Sequence, residues 1–243
     1  MNGGVDGGTV TREGAAGTTG TRGDPAPMLP RRLLDTLFSP GKLAADVAAS
    51  PRWVGALLVS LALVALGTWL LPPELFAEAQ RRAALERGVA MPPMTDRTLQ
   101  MVRLGAVIGG PLAFGIISFV LSGLYTLIFA FILGDEGRYR QYLAIFAHAS
   151  FIPALIGIPL VPLRISTGDA QFGLNLASFL PFLSDGYFLN VLRLMDLTQI
   201  WSSLVVALGA HAIDKRRSFA SAAAILIGLQ LAVALVIGRF LTG

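Results

Sequence analysis

Residues 104–133 read LGAVIGGPLAFGIISFVLSGLYTLIFAFIL, thirty positions without one charged side chain. As a straight helix the run would measure about 45 Å at about 1.5 Å per residue, more than the roughly 30 Å hydrocarbon core of a bilayer. It therefore predicts a transmembrane helix that kinks at Pro111 or lays its first turns in the interface. The rest of the chain has the same character. Hydrophobic residues make up 54% of it, 27 glycines come on top, and only 14% of residues are charged. Soluble chains carry about 25% charged residues, so this composition excludes a soluble enzyme, a nucleic-acid-binding domain and a disordered regulator. The fold class expected is all-α, a polytopic membrane bundle of five transmembrane helices with amphipathic surface helices.

Working outward, four more runs qualify as spans. Trp53 to Leu71 is charge-free with a tryptophan near each end, where interfacial anchors sit, and Pro72-Pro73 ends it. The third span, about 142–163, carries Pro153, Pro159 and Pro162 in its second half, which predicts a bent or unwound half. The fourth is 197–213, opened by Asp196 as an N-cap, and the fifth is 218–238. Between spans one and two, Glu78 and Arg82 form an i,i+4 pair on a short water-facing helix. Residues 166–195 contain Asp169, Asp185 and Arg193; charge at mid-membrane is costly, so they are read as surface helices, with a re-entrant segment as the alternative.

Residues 1–27 hold eight glycines and almost nothing large, which predicts a disordered tail. In 28–50, Leu33, Leu34, Leu37 and Phe38 share one face, Ser39-Pro40 starts a second short helix, and Leu43 and Val47 stand four apart. Both helices suit the membrane surface. The membrane domain is 51–243. The short loops with Arg138/Arg140 and Lys215-Arg216-Arg217 fall on the N-terminal side of a five-span chain, so the positive-inside rule places the N-terminus in the cytoplasm. A reporter fused after Gly243 is then expected to read extracytoplasmic, and a cytoplasmic signal would require an even number of spans.

Candidate chemistry is sparse. There is no cysteine, and the only histidines, His148 and His211, lie on different spans, too few for a metal site. No nucleophile motif is present, and no cofactor, metal or catalytic set is expected; the protein is expected not to be an enzyme. Intramembrane polar positions are Tyr125, Thr126, His148, Gln199 and Gln230, read as interhelical hydrogen-bonding groups. Gly105 and Gly109, spaced Gly-x-x-x-Gly, predict a close helix contact within or between monomers, and bulky substitution at Gly109 is expected to destabilise it. Pro153, Asp196 and Trp201 complete the positions singled out. The partners expected are the lipid bilayer and a second copy or another membrane protein, with no nucleic acid.

Several motifs together carry a family resemblance. They are Leu37-Phe38-Ser39-Pro40, Ser50-Pro51-Arg52-Trp53, Met94-Thr95-Asp96-Arg97, Gly134-Asp135-Glu136-Gly137, Ala147-His148-Ala149-Ser150-Phe151-Ile152-Pro153 and Asp196-Leu197-Thr198-Gln199-Ile200-Trp201 with Gly209. In this order the chain resembles the Yip domain family (Ypt/Rab-interacting membrane proteins), in its bacterial branch, over about 33–240. At His148 a tyrosine would be more usual. The resemblance implies the five-span fold, residence in the bacterial inner membrane and a non-catalytic adaptor, scaffold or membrane-organising role. Eukaryotic relatives contact Rab-type GTPases through their tails; this glycine-rich tail does not support a GTPase partner. The reading from a different class is a channel, permease or accessory subunit of an export system. The lack of an Asp or Glu mid-span favours the first.

Overall fold

The computed structural model describes residues 27–90, 94–170, 172–180 and 182–241. Of the expected tail, 1–27, residues 1–26 lie outside them. Among the described residues there is no strand, only one isolated antiparallel bridge between Asn175 and Asp196, and the architecture is an all-α membrane bundle.

Two short helices open it, α1 (Leu29–Phe38) and α2 (Pro40–Ala49), divided at Ser39-Pro40 where the pattern predicts. Pro40 occupies the first turn, whose N–H groups have no intrahelical acceptor in any helix. α2 buries its apolar stripe, Leu43, Ala44 and Val47, in the main core, each large side chain contributing about 1.5–3 kcal/mol. α1 packs Leu29, Leu33 and Leu37 against the core, buries Arg32 and Thr36, and leaves Leu34 and Phe38 exposed.

α3 (Val54–Trp69) is followed across an 85° bend by the polar α4 (Pro73–Glu86). The turn at Leu70 to Pro73 shortens the expected first span to 16 residues. The exposed Glu78–Arg82 pair is present at 3.1 Å. α5 (Asp96–Thr126) runs unbroken through Pro111 and continues into a π-helical turn, Leu127–Ile132. The proline removes one backbone donor, which a long membrane helix tolerates without breaking. The wide turn, with Leu133 N–H donating to Ile128 O at 3.0 Å, carries Phe129 into the core, where it stacks on Tyr142.

The third expected span is three pieces, α6 (Tyr139–Ala149), α7 (Phe151–Ile156) and α8 (Val161–Thr167), with a 54° bend before the last. α6 is the hub of the bundle. Tyr142, Ala144, Ile145, Ala147, His148 and Ala149 are all fully buried, all round the helix. It packs against α1, α2, α3, α5 and α10 (Leu197–Ile213). α10 has the bounds that the sequence predicts, and α11 (Phe219–Gly238) follows Ser218, whose hydroxyl caps it. Between α8 and α10 lie a 3₁₀ turn, Leu176–Phe179, and the amphipathic α9 (Tyr187–Leu194), which packs on α11.

Two helices, Asp96–Ile132 and Phe219–Gly238, are individually long and apolar enough to cross a membrane. The two bent pairs, α3 with α4 and α6/α7 with α8, reach that length only together, which raises the number to as many as four. The remaining expected span, α10, is an apolar helix of 17 residues.

Candidate functional site

Pro153, inside α7, has no N–H, which leaves the carbonyl four residues earlier, Ala149 O, without its helical donor. Ser202 on α10 fills the gap, its buried hydroxyl donating to Ala149 O at 2.9 Å. The junction of α6 and α7 is thus pinned to α10. Ser202→Ala is expected to cost about 1–2 kcal/mol, because a buried carbonyl loses its partner. Thermal unfolding in detergent checks this, and a variant melting at the wild-type temperature would remove Ser202 from that role.

At one end of the bundle two short loops interlock. Gly134, at a positive φ of 71°, turns the chain out of the π-helical turn and presents Asp135. The Arg217 guanidinium grips the Asp135 carboxylate with two bonds, 2.8 Å from Nη2 and 3.0 Å from Nε. Asp214, which follows α10, takes 2.8 Å and 3.2 Å bonds on Oδ2 from Arg216, and the Glu136 N–H adds a third at 3.0 Å. Both aspartates are buried. Arg216's side chain, then its own N–H and that of Glu136, hold the Asp214 carboxyl well below the usual carboxylate range. The carboxylates in turn push Arg216 and Arg217 up. His211 Nδ1 donates to Arg217 O at 2.7 Å, so it stabilises the basic loop. The Gln141 amide reaches Ala48 O at 2.9 Å, so α2 is attached at this end too. The clasp pairs each of its two buried carboxylates with an arginine. Sequence reasoning used these arginines as markers of orientation and missed their partners, because Asp135 and Arg217 are 82 positions apart.

Of the polar positions singled out in the spans, the structure brings three together. Tyr125 (α5), Gln199 (α10) and Gln230 (α11) line one slot of about 250 Å³, together with Ser203 and a leucine-rich wall. His148 stands apart on α6. Its Nδ1 is 2.7 Å from Ala144 O on its own helix, so it does not bond across helices as expected, and Nε2 has no partner among the described residues. Two nitrogens of buried Arg32 point to Ser50 O (3.0 Å) and Asp46 O (3.4 Å) at the end of α2. Asp196 caps α10 as expected, accepting from Thr198 N–H at 2.7 Å and Gln199 N–H at 3.3 Å. Trp201 faces outward from α10.

The Gly-x-x-x-Gly reading needs correction for the monomer. A Cβ at Gly105 or Gly109 would meet nothing within 4 Å, because both glycines border a groove of about 880 Å³ between α4, α5 and residues 168–170. The tight helix crossing is elsewhere. A Cβ on Gly209 of α10 would overlap Ile145 Cγ1 of α6 and sit 3.0 Å from Ile145 Cβ. Among the described residues no group of three or more His, Asp or Glu side chains is placed to hold a metal ion.

No curated protein and no solved structure matches the chain. The Yip1 domain model matches residues 34–238, from within α1 to the end of α11. A match over that much of an all-α membrane bundle places the chain in a family, and the chain belongs to the Yip1 domain family.

Proposed function

We propose that this Yip1 domain protein is a non-catalytic adaptor, scaffold or membrane-organising factor, working through helix and loop contacts. The observation that carries the reading is the clasp. The two buried aspartates beside the bundle are each consumed by an arginine, Asp135 by Arg217 and Asp214 by Arg216, in contacts that tie loops together. A proton- or cation-coupled transporter needs an ionisable group free to exchange its ion. Outside the bundle, apolar positions such as Leu104, Ile108, Leu112 and Val120 on α5 stay exposed, a surface suited to lipid or to another helix.

We further propose five crossings, with both bent pairs and α10 counted as spans, and an N-terminus in the cytoplasm of a bacterium. Short basic loops then lie inside, consistent with the clasp and the α2 contact sharing one end. Reconstitution into proteoliposomes tests the functional reading. The expected result is no protein-dependent flux of ions or small solutes, and in-cell cross-linking is expected to trap a second copy or a recurrent membrane-protein partner. Saturable flux would replace the adaptor reading with that of a permease.

A further inference from the structure

The slot between α5, α10 and α11 has the chemistry of a binding site. Its walls are leucine, valine, alanine and isoleucine side chains, and no charged residue lines it. Four polar side chains open onto it. Tyr125, 8% exposed as a residue, lines the slot and its hydroxyl makes no hydrogen bond with any described residue, so a donor and an acceptor are left open there. Gln230 receives one long contact, 3.4 Å from Ser203 Oγ, which leaves its NH₂ group unused. The Gln199 side chain at the edge of the slot also lacks a partner among the described residues.

In a hydrocarbon environment unpaired polar groups are costly, and the slot faces helices apolar enough to be membrane spans. Leucine in place of these side chains would have removed that cost. The groups are donors and acceptors without charge, so they match a neutral head such as a hydroxyl or an ester carbonyl. They do not match a phosphate or a carboxylate, which would lack a counter-charge there. The apolar wall matches a hydrocarbon chain, and about 250 Å³ is roughly eight water volumes at about 30 Å³ each, enough for one chain segment with its head and too small for a folded partner.

We propose that this slot binds a neutral amphiphile, a hydrocarbon chain ending in a hydroxyl or ester group, with the head held by Tyr125 and Gln230. The head could belong to a glycerolipid of the bilayer or to a free long-chain alcohol; the chemistry at the slot is the same.

Photo-cross-linking of the full chain in phosphatidylcholine/phosphatidylglycerol vesicles tests this. One probe is a diacylglycerol bearing a diazirine in one chain, and a chain-matched photoactivatable alkane is the control. The expected result is diacylglycerol adducts on peptides containing Tyr125, Ser203 or Gln230, at least fivefold above those on the outward face of α5 around Ile108 and Leu112. Tyr125→Phe and Gln230→Leu should bring that excess down to the alkane level without changing alkane labelling. Tyr125→Phe keeps the ring and its edge contact with Phe146, so it is the variant to rely on if Gln230→Leu fails to fold. Competition by an unlabelled long-chain alcohol would assign a hydroxyl head, and competition by a capped diacylglycerol an ester head. Adducts spread as evenly as those of the alkane, or an excess that survives Tyr125→Phe, would overturn the proposal.

Discussion

Gly209→Val is expected to lower the melting temperature of the detergent-solubilised protein by about 5–10 °C, while Gly109→Val leaves it within about 2 °C. At Gly209 the first added carbon already overlaps Ile145 Cγ1. Ile145 is fully buried, and a β-branched side chain has little rotamer freedom with which to withdraw. The α6–α10 crossing must therefore widen around the most buried helix of the bundle. Overpacking of this kind costs about 1–3 kcal/mol, and about 2–4 °C per kcal/mol applies to chains of this size. Gly109 borders open space, so its new side chain meets neither backbone nor core. Gly209→Ala should show a smaller loss in the same direction. Equal shifts at the two positions would mean that the α6–α10 crossing does not limit stability.

Asp135→Asn is expected to be comparably damaging. It removes the carboxylate that holds Arg217 through two bonds and leaves a guanidinium whose side chain is only 17% exposed. The cost should fall between the roughly 1 kcal/mol of an exposed pair and the about 3–5 kcal/mol of a fully buried one. A drop of about 4–10 °C follows. Asp135→Asn combined with Arg217→Met should recover part of it, because the uncompensated charge is then gone; a double variant as unstable as the sum of the singles would deny the pairing.

The same clasp predicts a pH dependence. Arg216 holds the Asp214 carboxyl below the ordinary carboxylate range in the folded state. Its contribution to stability is thus fully present above about pH 4, where the unfolded group ionises, and is lost as pH falls toward the depressed folded value. The gap in melting temperature between wild type and Asp214→Asn should be constant from pH 7 to 5 and narrow below about pH 4. A gap that stays the same down to pH 3 would be evidence against the coupling.

Local signals were well read from the sequence, and each has a local cause. α10 runs Leu197–Ile213 because Asp196 supplies the N-cap and the apolar run ends at Asp214. α11 begins after Ser218 for the same reason. The polar helix after Pro72 and the break in the third span follow from proline positions and charge spacing. Span count was less legible. Hydropathy counts apolar residues in a row, yet the 85° turn after Trp69 and the pieces of the third span depend on how those residues pack.

Which small and polar residues meet a neighbouring helix was less legible for a related reason. Gly105 and Gly109 show that a helix could be approached closely, but periodicity does not say that another helix approaches; Gly209, with no such repeat, is where one does. Ser202 reads as a generic small polar residue until the packing of α10 on α7 brings it to the carbonyl that Pro153 leaves without a donor.

What the sequence determined by itself is an apolar, charge-poor chain that must satisfy its backbone within helices, together with the bounds of the helices that carry a clear cap or proline, such as α10 and α11. Both follow from solvation and hydrogen bonding of neighbouring residues. Only the tertiary structure decided that α6 is the buried hub, that Asp135 meets Arg217 and that Tyr125, Gln199 and Gln230 face one slot. Those pairings join residues tens of positions apart, and which helix faces meet depends on packing that no local pattern encodes.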